Sequence, residues 1–349
     1  MDAEYDFLEV TGPISVQRME GDYTLSSWND EVIMSTSRLL GLTGTGKSNF
    51  IECLHGGTAQ DSPRISGDSL ESVTQDVVCY KLVNVASKYL HDTIFIVDCP
   101  GFSDTNLSEV AVILKLQNWI ATYRAKGGIK SVLYFHRIND TRLAGSQRKT
   151  IELVKGLIGR SGGLTTLGVV TTMWDTLWRP DQLEGAESRY QQLQSEYFMA
   201  KSSLDAEYVF RFDNTQQSAL RAIDEVIFPP PLLGNRSPPL LKDMTGSSDA
   251  LRKARYGALL YDLLVQRVTE VQQQIQNIDA DIKHEMMLEQ SNEELLQLLA
   301  GNRAAAEGFL AELMSEEEDF GGPPEIPAPR LGLRHRLTSY FKRKLHHNG

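Results

Sequence analysis

One short stretch, GLTGTGKS at residues 41–48, restricts the fold of this chain more than any other feature. It matches the pattern G-x-x-x-x-G-K-[ST] at each fixed position: Gly41, Gly46, Lys47 and Ser48. Such a loop joins a buried strand to a helix, and its backbone N–H groups and the helix dipole surround a phosphate. The lysine reaches the terminal phosphates and the hydroxyl binds Mg²⁺. The motif predicts a nucleotide phosphate site; the alternative is a glycine-rich turn without a ligand. The predicted site comprises Gly41, Thr43, Gly44, Thr45, Gly46, Lys47, Ser48 and Asn49.

The composition of the 349 residues is that of an ordinary globular protein, with 41% hydrophobic and 23% charged residues. The formal net charge of −11 argues against general nucleic-acid binding. The three cysteines form neither a disulfide framework nor a zinc pattern, which favours a reducing compartment. The first ten residues are acidic and lack the apolar core of a signal peptide. We expect a cytoplasmic protein.

Short apolar runs alternate with longer helical patterns from residue 31 to residue 228. This alternation predicts an α/β domain with a mostly parallel sheet, preceded by a loose leader at 1–30. The predicted strands are 77–82, 93–97, 129–135, 166–172 and 208–212, and the predicted helices are 46–55, 108–124, 147–158, 182–200 and 217–226.

The C-terminal third is predicted to be helical. A Pro-rich linker at 229–250 precedes a segment, 251–319, that has almost no Gly or Pro. Its apolar seam predicts either a coiled coil or an amphipathic helix folded back on the α/β domain. Residues 320–349 combine a second linker with a basic amphipathic tail, which is expected to contact a membrane surface or an acidic partner, or to be solvated. The seam residues are Tyr261, Leu264, Val268, Val271, Ile275, Ile278 and Ile282.

A second motif follows the loop at a fitting distance. The run IFIVDCPGF at 94–102 is an apolar strand that ends in D-x-x-G. In P-loop proteins the acidic residue at this place, here Asp98, supports Mg²⁺, and the glycine, here Gly101, approaches the γ-phosphate. Between the motifs, residues 56–76 have the polar, Gly/Ser-rich composition of a switch loop. The candidate for its metal-sensing hydroxyl is Thr74, and Ser66, Ser69 and Ser72 are also eligible.

A candidate base-reading carboxylate lies at the end of the strand LGVVTT. The chain continues Thr171-Thr172-Met173-Trp174-Asp175. A carboxylate can accept two parallel hydrogen bonds from the N1–H and N2–H₂ groups of guanine, and Asp175 has the position for this. The usual guanine signature has a lysine where this chain has Met173, which leaves ATP as an alternative. Thr172 and Asp175 are therefore the predicted contacts to the base.

These motifs, with FRFDNTQQSA at 210–219, resemble in order and spacing the septin-related GTPases, which include immunity-associated GTPases and chloroplast import receptors. LYFHRINDTRLAGS at 133–146 is similar to fungal G-domain proteins of that branch. The resemblance covers about residues 39–228 and implies a Ras-like P-loop NTPase domain that binds GTP or GDP with Mg²⁺. It implies that Asn214 contacts the base and that two copies dimerise across the nucleotide face.

Two features depart from the resemblance. The strand before the loop reads MSTSRLL at 34–40, and four polar residues are costly in a central strand. The strand is therefore expected to be very short, or the start of the chain to be truncated or rearranged. Phe102 follows D-x-x-G where Ras-like enzymes have the glutamine that orients water, which predicts slow hydrolysis. His55, Arg64 and His136 are candidates to assist. The charged cluster His136, Arg137, Asp140 and Arg142 is either part of a dimer face or an ion-pair network that caps a strand.

Three functions fit these observations. The first is a guanine-nucleotide switch or assembly module with slow hydrolysis, in which Lys47 and Thr74 are catalytic, Ser48, Thr74 and Asp98 hold Mg²⁺, and Asp175 and Asn214 bind the base. The second is an ATPase or nucleotide kinase that uses the same loop. The third is a non-catalytic scaffold with a vestigial pocket.

Overall fold

A computed structural model describes residues 5–19, 34–56, 65, 74–89, 91, 93–104, 106–123, 129–141, 145–158, 166–198, 207–227, 248–254, 256–288 and 292–324. Several predicted features lie outside these residues. They are the later part of the leader, most of the loop 56–76 with Arg64, Ser66, Ser69 and Ser72, the residue Arg142, most of the linker 229–250, and the tail from residue 325.

A mixed sheet of seven strands forms the centre of the described domain. Its order is β1-β3-β4-β2-β5-β6-β7, and β4, β2, β5, β6 and β7 run parallel. β3 pairs antiparallel with both β1 and β4. The strands are β1 (Leu8–Arg18), β2 (Met34–Gly41), β3 (Val78–Ser87), β4 (Thr93–Asp98), β5 (Ile129–Arg137), β6 (Thr166–Thr172) and β7 (Glu207–Arg211).

Helices cover both faces of this sheet. The alternation of side chains along β4 shows this directly, because Ile94 and Ile96 pack with α1 and α5, whereas Phe95 and Val97 pack with α2 and α3. Burial on both faces explains the continuous apolar runs of the central strands. The helices of this part are α1 (Lys47–Leu54), α2 (Glu109–Tyr123), α3 (Gly145–Ile158), α4 (Pro180–Gln192), which continues as a π-helical turn (Leu193–Phe198), and α5 (Gln216–Val226).

The architecture confirms the predicted α/β class. The strand before the phosphate loop, β2, lies between β4 and β5, and the antiparallel β3–β4 pair lies to one side. This is the Ras-like arrangement. It brings the carboxyl ends of β2, β4, β5, β6 and β7 to one edge of the sheet, where α/β proteins bind their ligands.

The prediction of a loose leader is wrong for residues 8–18, which form the edge strand β1. Its pairing with β3 shifts register between Val10 and Ser15, and Gly12 and Pro13 lie within that irregularity. An edge strand tolerates such a bulge. The start of β1 is also held by Asp224 on α5, whose carboxylate accepts backbone hydrogen bonds from residues 6, 7 and 8 at 2.9, 2.8 and 2.7 Å.

The polar run in the strand before the loop does not shorten the strand. The backbone of β2 pairs with β4 from Met34 to Leu39 and with β5 from Thr36 to Gly41. The ladder is built from backbone groups, which every residue of this run supplies. β2 is therefore not a very short strand, and it lies between β4 and β5.

The C-terminal segment folds back on the α/β domain. It consists of α6 (Ser248–Lys253), α7 (Gly257–Met286) and α8 (Glu293–Phe320), so the helical pattern is interrupted close to Glu285. The contacts Tyr261–Glu317 and Asp279–Arg303 show that α7 and α8 run antiparallel. Leu264 and Val271 of the seam share one core with α2, α3 and α8. Of the two alternatives, the structure shows the helix folded back. No described helix is both long and apolar enough to cross a bilayer.

Candidate nucleotide-binding site

The predicted phosphate loop is a tight turn between β2 and α1. Gly44 and Gly46 have φ angles of +73° and +86°, a region that glycine occupies without strain. The hydroxyl of Thr45 donates to the carbonyl of Leu42 at 2.7 Å, which closes the turn. α1 then begins at Lys47, so its N-terminal backbone groups face the loop. The arrangement has the shape and polarity of an anion site.

Lys47 lies across this loop. Its ammonium group is buried and donates to the carbonyls of Gly41 and Leu42 at 3.4 and 3.1 Å. Burial lowers the pKa of Lys47, and the nearby Asp98 is the main influence that opposes this. A buried cation held by neutral carbonyls is incompletely compensated, and an anionic ligand would compensate it.

Three oxygen-bearing side chains meet beside the loop. The Ser48 hydroxyl donates to Asp98 Oδ2 at 3.0 Å, and Thr74 donates to the same oxygen at 3.3 Å. The two hydroxyls are themselves 3.3 Å apart. The structure thus brings together the three residues that the sequence assigned to a metal.

Asp98 carries an unused ligand atom. It is almost fully buried, and its Oδ1 has no hydrogen-bond partner among the described residues. Burial raises the pKa of Asp98, and the Lys47 charge and the two hydroxyls oppose the rise. Two hydroxyls and one carboxylate fit a hard cation such as Mg²⁺, which prefers oxygen ligands and few of them from protein. Within the described ranges, no cluster of three or more His, Cys, Asp or Glu side chains indicates another metal.

The D-x-x-G segment is fastened directly to the phosphate loop. Phe102 N–H donates to the Gly41 carbonyl at 2.9 Å, and Thr43 N–H donates to the Phe102 carbonyl at 3.0 Å. Gly101 lies so close to Thr43 that a Cβ there would be 2.6 Å from the Thr43 backbone nitrogen. Only glycine allows this approach. Phe102 has no polar side-chain atom, and its ring is buried in the core, so it cannot hydrogen-bond a water molecule.

The predicted base-reading residues also meet, although 39 positions separate them. Asp175 lies in a 3₁₀ turn (Trp174–Thr176) after β6, and Asn214 follows β7 with a φ of +59°. Asn214 Nδ2 donates to Asp175 Oδ2 at 3.3 Å, and Asn49 Nδ2 of α1 donates to Asn214 Oδ1 at 2.5 Å. Thr172 donates instead to the Thr45 carbonyl at 2.9 Å, so it links β6 to the phosphate loop.

The charged cluster at the end of β5 forms an ion-pair network around Asp140. Arg137 pairs with Asp140 at 3.3 Å, and the amide of Gln147 donates to the same Asp140 oxygen at 3.0 Å. His136 is buried, which lowers its pKa to about 4. The contacts fit the strand-capping alternative for the described members. His55, another candidate to assist hydrolysis, accepts from Val16 of β1 through Nδ1 at 3.3 Å.

Sequence reasoning missed two groups of residues near the site. Asp104 is fully buried and accepts from the Thr43 hydroxyl at 3.2 Å. Its backbone carbonyl accepts from the guanidinium of Arg267 on α7. Cys53 of α1 donates its S–H to Asn214 Oδ1 at 3.4 Å. No local motif marks them, because their partners are far away in the chain.

Comparison with known proteins finds distant structural similarity. No family model matches the chain, and no curated protein does. A structure of Toc33 from Arabidopsis thaliana in complex with GDP and Mg²⁺ is 16% identical with a TM-score of 0.37, over 58% of this chain and 88% of that chain. A second structure belongs to work on the chloroplast translocon components atToc33 and psToc159, for whose GTPase activity dimerization is important. It is 15% identical with a TM-score of 0.39, over 58% of this chain and 86% of that chain. At these values the similarity assigns no residue and no ligand to this chain.

Proposed function

We propose that this chain binds GTP and GDP together with Mg²⁺ and is a slow GTPase that acts as a nucleotide switch or assembly module. The observation that carries the proposal is the group of Ser48, Thr74 and Asp98 beside the phosphate loop, in which Asp98 keeps a buried oxygen that receives no hydrogen bond from the described residues. Such an atom is costly unless a ligand satisfies it. An anionic ligand would also compensate the charge of the buried Lys47 beside it.

Each part of the loop has a role in this proposal. Lys47 offsets the charge of the β- and γ-phosphates, and the backbone of Gly41, Thr43, Gly44, Thr45 and Gly46 holds the phosphate oxygens. Ser48, Thr74 and Asp98 hold the metal, which when bound neutralises charge on the phosphates. Gly101 presents its N–H toward the γ-phosphate. Asp175 and Asn214 read the base, with Asn49 and Thr172 in support.

Hydrolysis is proposed to be slow because the position after D-x-x-G holds a buried phenyl ring. Phe102 packs in the core and cannot orient an attacking water molecule. Lys47 and Thr74 are the remaining groups that act on the transferred phosphate, and neither is a base for water. Two copies that dimerise across the nucleotide face would supply further groups to each other.

The switch role is supported by contacts between the D-x-x-G loop and the helical hairpin, which is defined here as α7 and α8. Arg267 of α7 donates to the Asp104 carbonyl, and Ser108 donates to Glu316 of α8. A change of residues 101–107 on nucleotide exchange would therefore act on the hairpin. We further propose a cytoplasmic location and peripheral membrane contact through the basic tail.

The test is an equilibrium titration of the full chain with fluorescent GTP and ATP analogues and Mg²⁺. We expect micromolar or tighter GTP binding, at least about tenfold weaker ATP binding, and loss of both in Lys47→Ala. Lys155→Ala is the matched control, because this lysine lies in the last turn of α3 and pairs with Glu152. Asp98→Asn should bind nucleotide without a gain from Mg²⁺.

The alternatives predict different results. Equal affinity for GTP and ATP would overturn the guanine assignment and favour an ATPase or kinase. No binding to either nucleotide would leave a scaffold with a vestigial pocket.

A further inference from the structure

The side-chain amide of Asn214 is held from both sides. Its Nδ2 donates to Asp175 Oδ2 at 3.3 Å. Its Oδ1 accepts from Asn49 Nδ2 at 2.5 Å and from Cys53 Sγ at 3.4 Å. Asn49 and Cys53 are four positions apart and therefore lie on one face of α1.

The chemistry of these neighbours favours one orientation of the amide, which Asp175 sets and the two donors on α1 reinforce. A carboxylate oxygen accepts hydrogen bonds, so the NH₂ end of Asn214 faces Asp175. The oxygen end then points to α1, where an amide and a thiol both donate. Burial raises the pKa of Cys53, and the charges of Glu52 and Asp175 act in the same direction, so the thiol keeps its proton and its donor capacity. Reversal of the amide would set its oxygen against a carboxylate and its NH₂ against two donors.

The fixed orientation gives the exposed edge of this pair a defined pattern. The NH₂ group of Asn214 has a second hydrogen, which is a donor, and Asp175 beside it is an acceptor. Guanine presents the complementary pattern, since its O6 accepts and its N1–H donates. Adenine presents a donating N6 amine and an accepting N1, so the donor of Asn214 would face a donor and the acceptor of Asp175 would face an acceptor.

We propose that Asn49 and Cys53 are specificity-determining residues that lock the Asn214 amide with its NH₂ group toward the base, so that the site selects guanine over adenine. This inference rests on the proposed guanine-nucleotide function. It also explains how selectivity survives with Met173 at the usual lysine position, because the discrimination is made by donor and acceptor placement. A site that is built to hydrogen-bond a group rejects an analogue that lacks it.

The contacts of α1 with Asn214 link the phosphate loop to the base-reading residues. α1 carries Lys47, Ser48 and Asn49 in its first turn and Cys53 about one turn further on. The same helix therefore supports the phosphate loop and sets the polarity of the base-reading amide. Asn49 and Cys53 are positioning residues, since they act through Asn214.

The experiment measures dissociation constants of the full chain for GTP, ITP and ATP with Mg²⁺. The variants are Asn49→Ala, Cys53→Ala and the double variant, and Cys53→Ser is the control that keeps a donor. ITP carries O6 and N1–H but lacks the 2-amino group, so it isolates the contact in question. In the double variant we expect GTP and ITP to bind about three- to tenfold more weakly, with ATP unchanged or tighter. Cys53→Ser should keep the preference of the native chain.

Two results would overturn the inference. If GTP, ITP and ATP weaken by one common factor, Asn49 and Cys53 support α1 and the phosphates without reading the base. If all three dissociation constants are unchanged in the double variant, Asn49 and Cys53 do not hold the amide. Failure of the proposed function is distinct, because the native chain would then bind none of the three nucleotides. Single variants give the same ratio test should the double variant fold poorly.

Discussion

Replacement of Gly101 by alanine should force apart the two loops of the candidate site. The added Cβ would lie 2.3 Å from the Thr43 hydroxyl and 2.6 Å from both the Cα and the backbone nitrogen of Thr43. A rotamer change moves the hydroxyl but leaves the backbone atoms in place. The loops must therefore separate by about 0.8 Å to reach the 3.4 Å of an ordinary contact.

The cost of Gly101→Ala follows from this displacement. Overpacking typically costs about 1–3 kcal/mol. The same movement strains the hydrogen bonds that join Phe102 to Gly41 and Thr43 at 2.9 and 3.0 Å, each worth about 1 kcal/mol. We expect the free energy of unfolding to fall by about 3 kcal/mol.

Urea denaturation of the full chain measures this change. The matched control is Gly301→Ala in α8, where an added Cβ meets no atom within 4 Å. That variant should be more stable than the native chain by about 0.5–1 kcal/mol, because alanine is the better helix former. A loss of less than about 0.5 kcal/mol for Gly101→Ala would refute the close packing of the two loops.

Two further predictions concern stability. Asp224→Ala should lower the free energy of unfolding by about 3 kcal/mol, because it removes a carboxylate that accepts from three backbone N–H groups at the start of β1. Asp224→Asn, which keeps one oxygen, should lower the free energy of unfolding by less. Amide exchange at Leu8 should be faster in both variants, and equal stability of all three chains in urea would contradict the anchoring role. Burial lowers the pKa of His136 from 6.5 to about 4, so the unfolded state binds the proton first as the pH falls. The contribution of His136 to stability is therefore present above about pH 6.5 and lost toward pH 4. Between pH 6.5 and pH 4 the free energy of unfolding of the native chain should fall by up to about 3 kcal/mol more than that of His136→Gln. Equal pH slopes of the two chains in urea titrations would refute this. The raised pKa values of Asp98, Glu109 and Glu316 change stability with the opposite sign, but they do so equally in both chains.

The central strands could be predicted from the sequence because their environment is uniform. β4 is buried on both faces, so its residues 94–97 are all apolar. β1 was missed because an edge strand lacks this constraint. Its pattern is broken at Gly12 and Pro13, and the facing bulge in β3 is occupied by Asn84, which has a φ of +63° and donates to the Pro13 carbonyl at 2.6 Å. The bulge in β1 and the bulge in β3 are explained only by their contact with each other.

The candidate site divides in the same way. The phosphate loop is local, so its motif and its geometry coincide. Asp98 was predictable because it terminates a recognisable strand. Asp104 was not, because its burial depends on Thr43 in one loop and on Arg267 at a separation of 163 residues. Arg267 has no motif around it, and its position on α7 indicates a helix face but no partner.

The apolar seam of α7 illustrates a limit of periodicity. A repeat of three and four residues states that one helix face is buried, but the pattern is the same whether the partner is a second chain or the chain's own domain. In the structure Leu264 and Val271 are buried in the core shared with α2, α3 and α8. The same side chains cannot also form the seam of an intermolecular coiled coil. Dimerisation through this face therefore requires that the hairpin first leave the domain, and the hydrogen bonds Arg267–Asp104 and Ser108–Glu316, which join the hairpin to the domain, would be lost in that step.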